Sequence, residues 1–198
     1  KLLGYKGMSY RVVFGVCFVE DPREGLRKYG DSAALARQSI KEDALKHVAF
    51  YKNEMKDQLR TKKFVEDNME QALEQGQFQM YLQPKYSISK EEMVGAEALV
   101  RWIHPDRGII SPMEFIPILE KNGFVIKMDQ YIWEEACKVV RKWIDAGVEP
   151  VPISVNVSRR HLKDQEFIRV LNELIEKYQI PKKYLEIEIT ETKIGRAH

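Results

Sequence analysis

Three segments share one alternating design, and that design limits the fold more than any other feature of the chain. Val94–Trp102 reads VGAEALVRW. Successive side chains of a strand point to opposite faces, so Val94, Ala96, Ala98, Val100 and Trp102 share one face, and Gly95, Glu97, Leu99 and Arg101 the other. Val151–Ser158 places Ile153, Val155 and Val157 opposite Ser154, Asn156 and Ser158. Tyr184–Thr190 places Leu185, Ile187 and Ile189 opposite Glu186, Glu188 and Thr190. Helical segments separate the three, which predicts parallel pairing. In a parallel α/β barrel the apolar face packs on helices, and the inner face carries polar groups at its C-terminal mouth. Glu97, Asn156 and Glu188 are then expected to converge. Their oxygen atoms suit Mg²⁺ or Mn²⁺ rather than zinc. For Glu97 and Arg101 alone, an internal ion pair on one strand face is an equally good reading, because a buried charge needs a partner of some kind.

Several motifs carry a family resemblance. Glu97-Ala98-Leu99-Val100-Arg101 matches the EAL signature. Tyr81-Leu82-Gln83-Pro84 resembles that family's Tyr-x-Gln-Pro strand, and Ser154–Ser158 its asparagine strand. Glu188-Ile189-Thr190-Glu191 matches Glu-x-Thr-Glu, and Ser111–Pro117 resembles the segment after the second strand. The chain over about Phe64–Thr192 is similar to the first half of an EAL domain. The resemblance implies a partial (β/α)8 TIM-type barrel whose first strand is antiparallel. It implies metal-dependent hydrolysis of cyclic di-GMP to the linear dinucleotide, with Mg²⁺ or Mn²⁺ as cofactor. Glu97, Asn156 and Glu188 are the implied metal ligands and Arg101 the phosphate-binding group. Gln83 and Leu99 are implied to contact the dinucleotide, and Glu191 to brace the metal site. The alternative is a degenerate EAL module that binds cyclic di-GMP or a protein partner without cleaving it. For Gln83 the alternative is a core glutamine bonded to backbone.

The remaining composition excludes more than it suggests. A net charge of +2 over 198 residues gives no electrostatic case for a DNA or RNA surface. Cys17 and Cys137 make neither a disulfide framework nor a zinc pattern, and read as thiols of a reducing cytosol. No apolar run is long enough to span a bilayer, so a cytoplasmic location without membrane contact is expected.

Residues 1–50 read as a separate α/β remnant. Tyr10–Val19 predicts a strand, and Asp21-Pro22 a helix start. Gly30 is expected to end that helix and Asp31-Ser32 to begin another, with Ala33, Ala36, Ile40, Ala44 and Val48 at helical spacing. The unit resembles the last strand and closing helices of a GGDEF domain, although the glycine-rich signature is absent. A small α/β cap is the alternative.

Residues 51–76 predict a charged connecting helix, capped by Gly76. Residues 77–192 follow as the EAL half-domain. Its first strand, Gln79–Tyr86, turns through Ser87–Glu91 into VGAEALVRW, and so short a turn permits a hairpin, which predicts antiparallel pairing. His104 reads as a loop residue, and Glu120 and Asp129 as caps or surface charges. Ser111-Pro112 begins a helix through Glu120. Met128–Ala146 and a helix capped by Asp164 are expected to cover the barrel's outer face.

Lys193–His198 departs from the family pattern and reads as an appended tail. A closed barrel of this kind takes about 250 residues and about eight strands, of which this chain provides about four. The family's Asp-Asp-Phe-Gly motif, catalytic lysine and last metal-binding glutamate have no match in it. The chain therefore reads as a fragment, inactive alone. Its open sheet edge is expected to be covered by a second copy, as a homodimer, or by the N-terminal segment.

Overall fold

The computed structural model describes residues 11–41, 43–163 and 166–189. The chain divides into two compact units, Lys1–Lys63 and Phe64–His198.

In the first unit, strands β1 (Phe14–Val16) and β2 (Val48–Phe50) pair in parallel, and helix α1 (Leu26–Ser39) connects them. Ala36, Ile40 and Ala49 form its small core. Gly15 is where the helix meets the strand. A Cβ there would lie 1.8 Å from the Ala33 carbonyl oxygen. Asp21 does cap a turn, its Oδ1 accepting from Arg23 N at 2.9 Å, but the turn is a short 3-10 segment, Pro22–Glu24. Three expectations are corrected. α1 runs through Gly30 without a break, and Ser32 is buried inside it rather than opening a new helix. The helix ends at Ser39, so Ala44 lies beyond it and Val48 belongs to β2. The first strand is shorter than Tyr10–Val19 at its described end.

Helix α2 (Glu54–Glu74) crosses the boundary between the units. It stops at Gly76, whose φ of 65° suits glycine. Gln77 N bonds back to Ala72 O at 2.8 Å, which satisfies a terminal carbonyl.

The second unit is a mixed sheet with helices on one face. β3 (Phe78–Ser87) and β4 (Glu92–His104) pair antiparallel through a hairpin that places Glu91 at φ 53°. β6 (Ile153–Val157) pairs parallel to β4, and β7 (Leu185–Ile189) parallel to β6, giving the order β3-β4-β6-β7. β5 (Gly108–Ile110) folds back on β4 antiparallel. It was not foreseen, because Pro105-Asp106-Arg107-Gly108 reads as an open loop. Helices α3 (Pro112–Asn122), α4 (Val125–Asp145) and α5 (Glu166–Lys177) complete the unit. Asp164 lies outside the described residues.

The alternating pattern explains the packing. Ala96, Ala98, Val100 and Trp102 of β4 are buried, as are Ile153, Val155 and Val157 of β6. All of these except Ala96 meet Ile132, Trp133, Ala136 and Val140 of α4 in one core. Each large side chain taken out of water here contributes about 1.5–3 kcal/mol. Trp102 sits among aromatic rings, 5.5 Å from Phe64, 5.0 Å from Phe78 and 5.6 Å from Phe115 between centroids. His104 ends β4, with its ring centroid 5.2 Å from that of Phe64. It is a packed strand residue rather than a loop residue. β7 departs from the expected pattern. Ile187 and Ile189, on the face predicted to pack on helices, are 48% and 57% exposed.

Candidate functional site

The opposite face of the sheet gathers the polar residues of four strands. Register does much of the work. Gln83 lies opposite Glu97, Tyr81 opposite Leu99, and Gln79 opposite Arg101. Glu97 is level with Ser154, and Asn156 with Glu188. Asn156 Nδ2 donates to Glu97 Oε1 at 3.1 Å. Trp133 of α4 fixes the same strand from behind, its Nε1 donating to the Asn156 carbonyl oxygen at 3.0 Å.

Arg101 forms no ion pair with Glu97 among the described residues. Its Nη1 donates to the Val100 carbonyl oxygen at 2.8 Å, so the ion-pair reading of this strand face does not hold. Thr190 and Glu191 lie outside the described residues.

Lys85, which the sequence reading passed over, is central here. Its ammonium group donates to Ser154 Oγ at 2.7 Å and to the Glu188 carboxylate. Ser154 Oγ in turn donates to Glu186 Oε2 at 2.9 Å. The Lys85 ammonium holds the Glu188 carboxyl below its ordinary value, against the desolvation that raises it. In a flat sheet, three strand spacings or about 14 Å would separate β3 from β7. A direct Lys–Glu contact across them requires a concave face. The signal that pointed to Lys85 was its place two residues after Gln83, on the same strand face.

A cavity of about 150 Å³ opens beside this face. Leu99, Arg101, Asn156, Ile116, Glu120 and Asp129 are among its lining residues. Asp129 is a correction to the surface-charge reading. It is 7% exposed, and its Oδ2 accepts from Ser158 N at 3.2 Å and contacts His161 Nε2 at 3.1 Å. The His161 ring packs on Trp133 with centroids 4.7 Å apart. This buried cluster pins the end of β6, where Asn156 sits. Glu120 is half-buried on the cavity wall, so it too is more than a surface charge. A histidine and an aspartate some 30 residues apart give no periodic signal, which is why sequence reasoning missed the pair.

Glu97, Asn156 and Glu188 thus present hard oxygen donors from adjacent parallel strands. The donor chemistry fits Mg²⁺ or Mn²⁺. The ammonium on Glu188 shows that this carboxylate is compensated by a cation. Among the described residues no cluster of three or more His, Cys, Asp or Glu side chains is arranged to hold a metal ion. A cation here therefore depends on the asparagine as well as the two carboxylates.

Comparison with known proteins decides the family. The family model described as "EAL domain" matches residues 66–198. The chain belongs to the EAL-domain family. The match runs through 193–198, the segment whose pattern had set it apart as a tail. The signaling protein YkoW of Bacillus subtilis is 32% identical over 180 residues, covering 86% of this chain and 22% of YkoW. The bifunctional diguanylate cyclase/cyclic di-GMP phosphodiesterase MucR of Pseudomonas aeruginosa is 28% identical over 161 residues, 81% of this chain and 24% of MucR. The solved MucR phosphodiesterase in complex with c-di-GMP has a TM-score of 0.61 and 31% identity. It aligns with 67% of this chain, which spans 54% of that one. The EAL chain thus spans less than a quarter of either curated relative. Among the described residues no helix is long and apolar enough to cross a membrane.

Proposed function

We propose that this EAL chain contributes the first half of a partial (β/α)8 barrel to the metal-dependent hydrolysis of cyclic di-GMP to linear pGpG. The observation that carries the reading is the Asn156–Glu97 contact at 3.1 Å, with Glu188 in register beside Asn156. Relatives named as cyclic di-GMP phosphodiesterases support it.

Glu97, Asn156 and Glu188 would hold Mg²⁺ or Mn²⁺. When bound, the ion polarises the scissile phosphate and lowers the pKa of a water molecule. Arg101 would hold a phosphate oxygen through its guanidinium group. Gln83 and Leu99 would contact the dinucleotide, fixing its position on the concave face. Glu191 would brace the ligands from the segment after β7. Placing these groups on strands of one sheet keeps them in place before substrate arrives, which lowers the reorganisation needed in the transition state.

The Asp-Asp-Phe-Gly motif, the lysine and the last glutamate that the resemblance assigns to the same site have no match in these 198 residues. The 198-residue chain alone is therefore expected to be inactive, with further ligands supplied from outside it or from a second copy. Incubating cyclic di-GMP with the chain, with and without Mn²⁺, and separating the products by chromatography tests this. No linear product from the chain, together with Mn²⁺-dependent pGpG from a protein carrying a full EAL domain built on it, is expected. Turnover by the chain alone contradicts the incomplete-site reading. Intact cyclic di-GMP in both cases contradicts the enzyme reading.

One observation favours a second reading, in which the domain binds cyclic di-GMP or a protein partner without hydrolysis. Glu188 already has a cationic partner in Lys85. If that pair persists with ligand present, the third oxygen donor is withheld from a metal ion. Retention of cyclic di-GMP without product at saturating Mn²⁺, by a protein with the full domain, would identify this case.

A further inference from the structure

The Lys85 side chain is placed by two local features. The β3–β4 register shifts between Lys85 and Tyr86, an irregularity that re-aims a strand side chain. Lys85 lies opposite Gly95. The absent Cβ of Gly95 leaves its stem a path, since a Cβ there would sit 3.9 Å from Lys85 Cδ and 3.1 Å from the Pro152 carbonyl oxygen. The ammonium then reaches Ser154 Oγ at 2.7 Å and the Glu188 carboxylate, with Lys85 36% and Glu188 41% exposed.

We propose that Lys85 is a tethered cation that occupies the Glu188 end of the site when no divalent ion is bound, and must be displaced for one to bind. The inference rests on the reading of Glu97, Asn156 and Glu188 as a divalent-ion site. The ammonium and a divalent ion compete for one carboxylate, and two cations cannot share it closely without strong repulsion. The binding-competent state is therefore only the fraction in which Glu188 is released, and apparent affinity falls by that fraction. Lys85 thus sets the ion concentration at which the site loads. It also keeps the carboxylates from repelling one another when the site is empty.

Mn²⁺ titrations of a protein carrying a full EAL domain built on this chain, followed by loss of the free-ion electron paramagnetic resonance signal at fixed ionic strength, test this. Lys85→Met is expected to bind Mn²⁺ roughly two- to fivefold more tightly than the parent protein, the size set by a half-exposed ion pair. Lys85→Gln makes the same comparison if the methionine variant fails to fold. Lys85→Arg keeps the charge and is expected to match the parent. Lys142→Met removes an exposed lysine from the last turn of α4 and is expected to leave affinity unchanged, which controls for bulk charge. Parent binding with no gain in the Lys85 variants, or an equal gain in Lys142→Met, overturns the proposal alone. Absence of Mn²⁺ binding by parent and variants alike overturns the divalent-ion reading and this inference with it.

Discussion

Asn156 Nδ2 donates to Glu97 Oε1 at 3.1 Å, joining two strands across 59 residues of sequence. The carboxamide holds the carboxylate at the point where β4 and β6 run parallel. Behind it, the Trp133 indole holds the Asn156 carbonyl oxygen. The site is therefore supported from the core side as well as from the open face, and that support can be tested by removing one donor at a time.

Trp133→Phe removes the indole N–H and leaves a part-buried carbonyl without its partner. An unsatisfied buried acceptor costs about 1–3 kcal/mol. The urea midpoint is expected to fall accordingly, with no change in the slope of the transition. An unchanged midpoint means that the bond adds nothing beyond the ring's packing.

Cys137 is fully buried in α4, and burial pushes its thiol up to about 12. Cys17 is only half-buried. The thiolate is the reactive form, so iodoacetamide at pH 8 is expected to label Cys17 but not Cys137 in the native chain, and both after denaturation. Mass spectrometry reads the sites directly. Native labelling of Cys137 would show that the core around α4 opens.

Glu134 ties α4 to α5. It accepts from Lys177 Nζ at 2.6 Å and from Tyr178 Oη at 2.7 Å. The Lys177 ammonium, and then the Tyr178 hydroxyl, hold its carboxyl below the ordinary 4.5. A depressed folded-state value means that the unfolded chain takes up the proton first. The contribution is thus present above 4.5 and lost as pH falls through the lower folded value. Glu134→Gln is expected to narrow the difference in urea midpoint between pH 6 and pH 3.5. An identical difference in both proteins counts against the brace.

Gly15→Ala tests the first unit. The added methyl would meet backbone atoms of α1, the Ala33 oxygen at 1.8 Å and the Arg37 nitrogen at 2.6 Å. Neither can move as a side chain does, so the cost is at the upper end of overpacking, about 3 kcal/mol. Hydrogen exchange is expected to show lost protection at β1 and β2 and unchanged protection at β6. Retained protection at β1 contradicts the close helix–strand contact.

Alternation made the second unit readable. Apolar residues at every second position of β4 and β6 gave both the buried face and the polar face, and the short turn at Ser87–Glu91 pointed to the hairpin seen. The helix start at Ser111 also agrees with the structure. The Ser111 hydroxyl caps α3, its Oγ accepting from Met113 N at 3.3 Å, and Gly147 follows α4 at φ 71°. The errors have physical causes. Gly30 weakens a helix by only about 1 kcal/mol, which packing around Ala36 overrides. Ala44 and Val48 fit a helical period by chance, and nothing local shows that Val48 pairs with Phe14, 34 positions earlier. Asp129, His161 and Lys85 were missed for one reason. Each acquires its partner through tertiary structure, and the place of Lys85 beside Gln83 marks its face of the sheet but not its partner.

The most direct measurement of the central claim is anomalous scattering at the manganese edge from crystals of a protein carrying a full EAL domain built on this chain, grown with Mn²⁺ and cyclic di-GMP. The account predicts a manganese peak within coordinating distance of Glu97, Asn156 and Glu188, with a phosphate of the dinucleotide beside it and Lys85 turned away from Glu188. A peak elsewhere, or a dinucleotide bound on this face with no manganese and the Lys85–Glu188 pair intact, would contradict it.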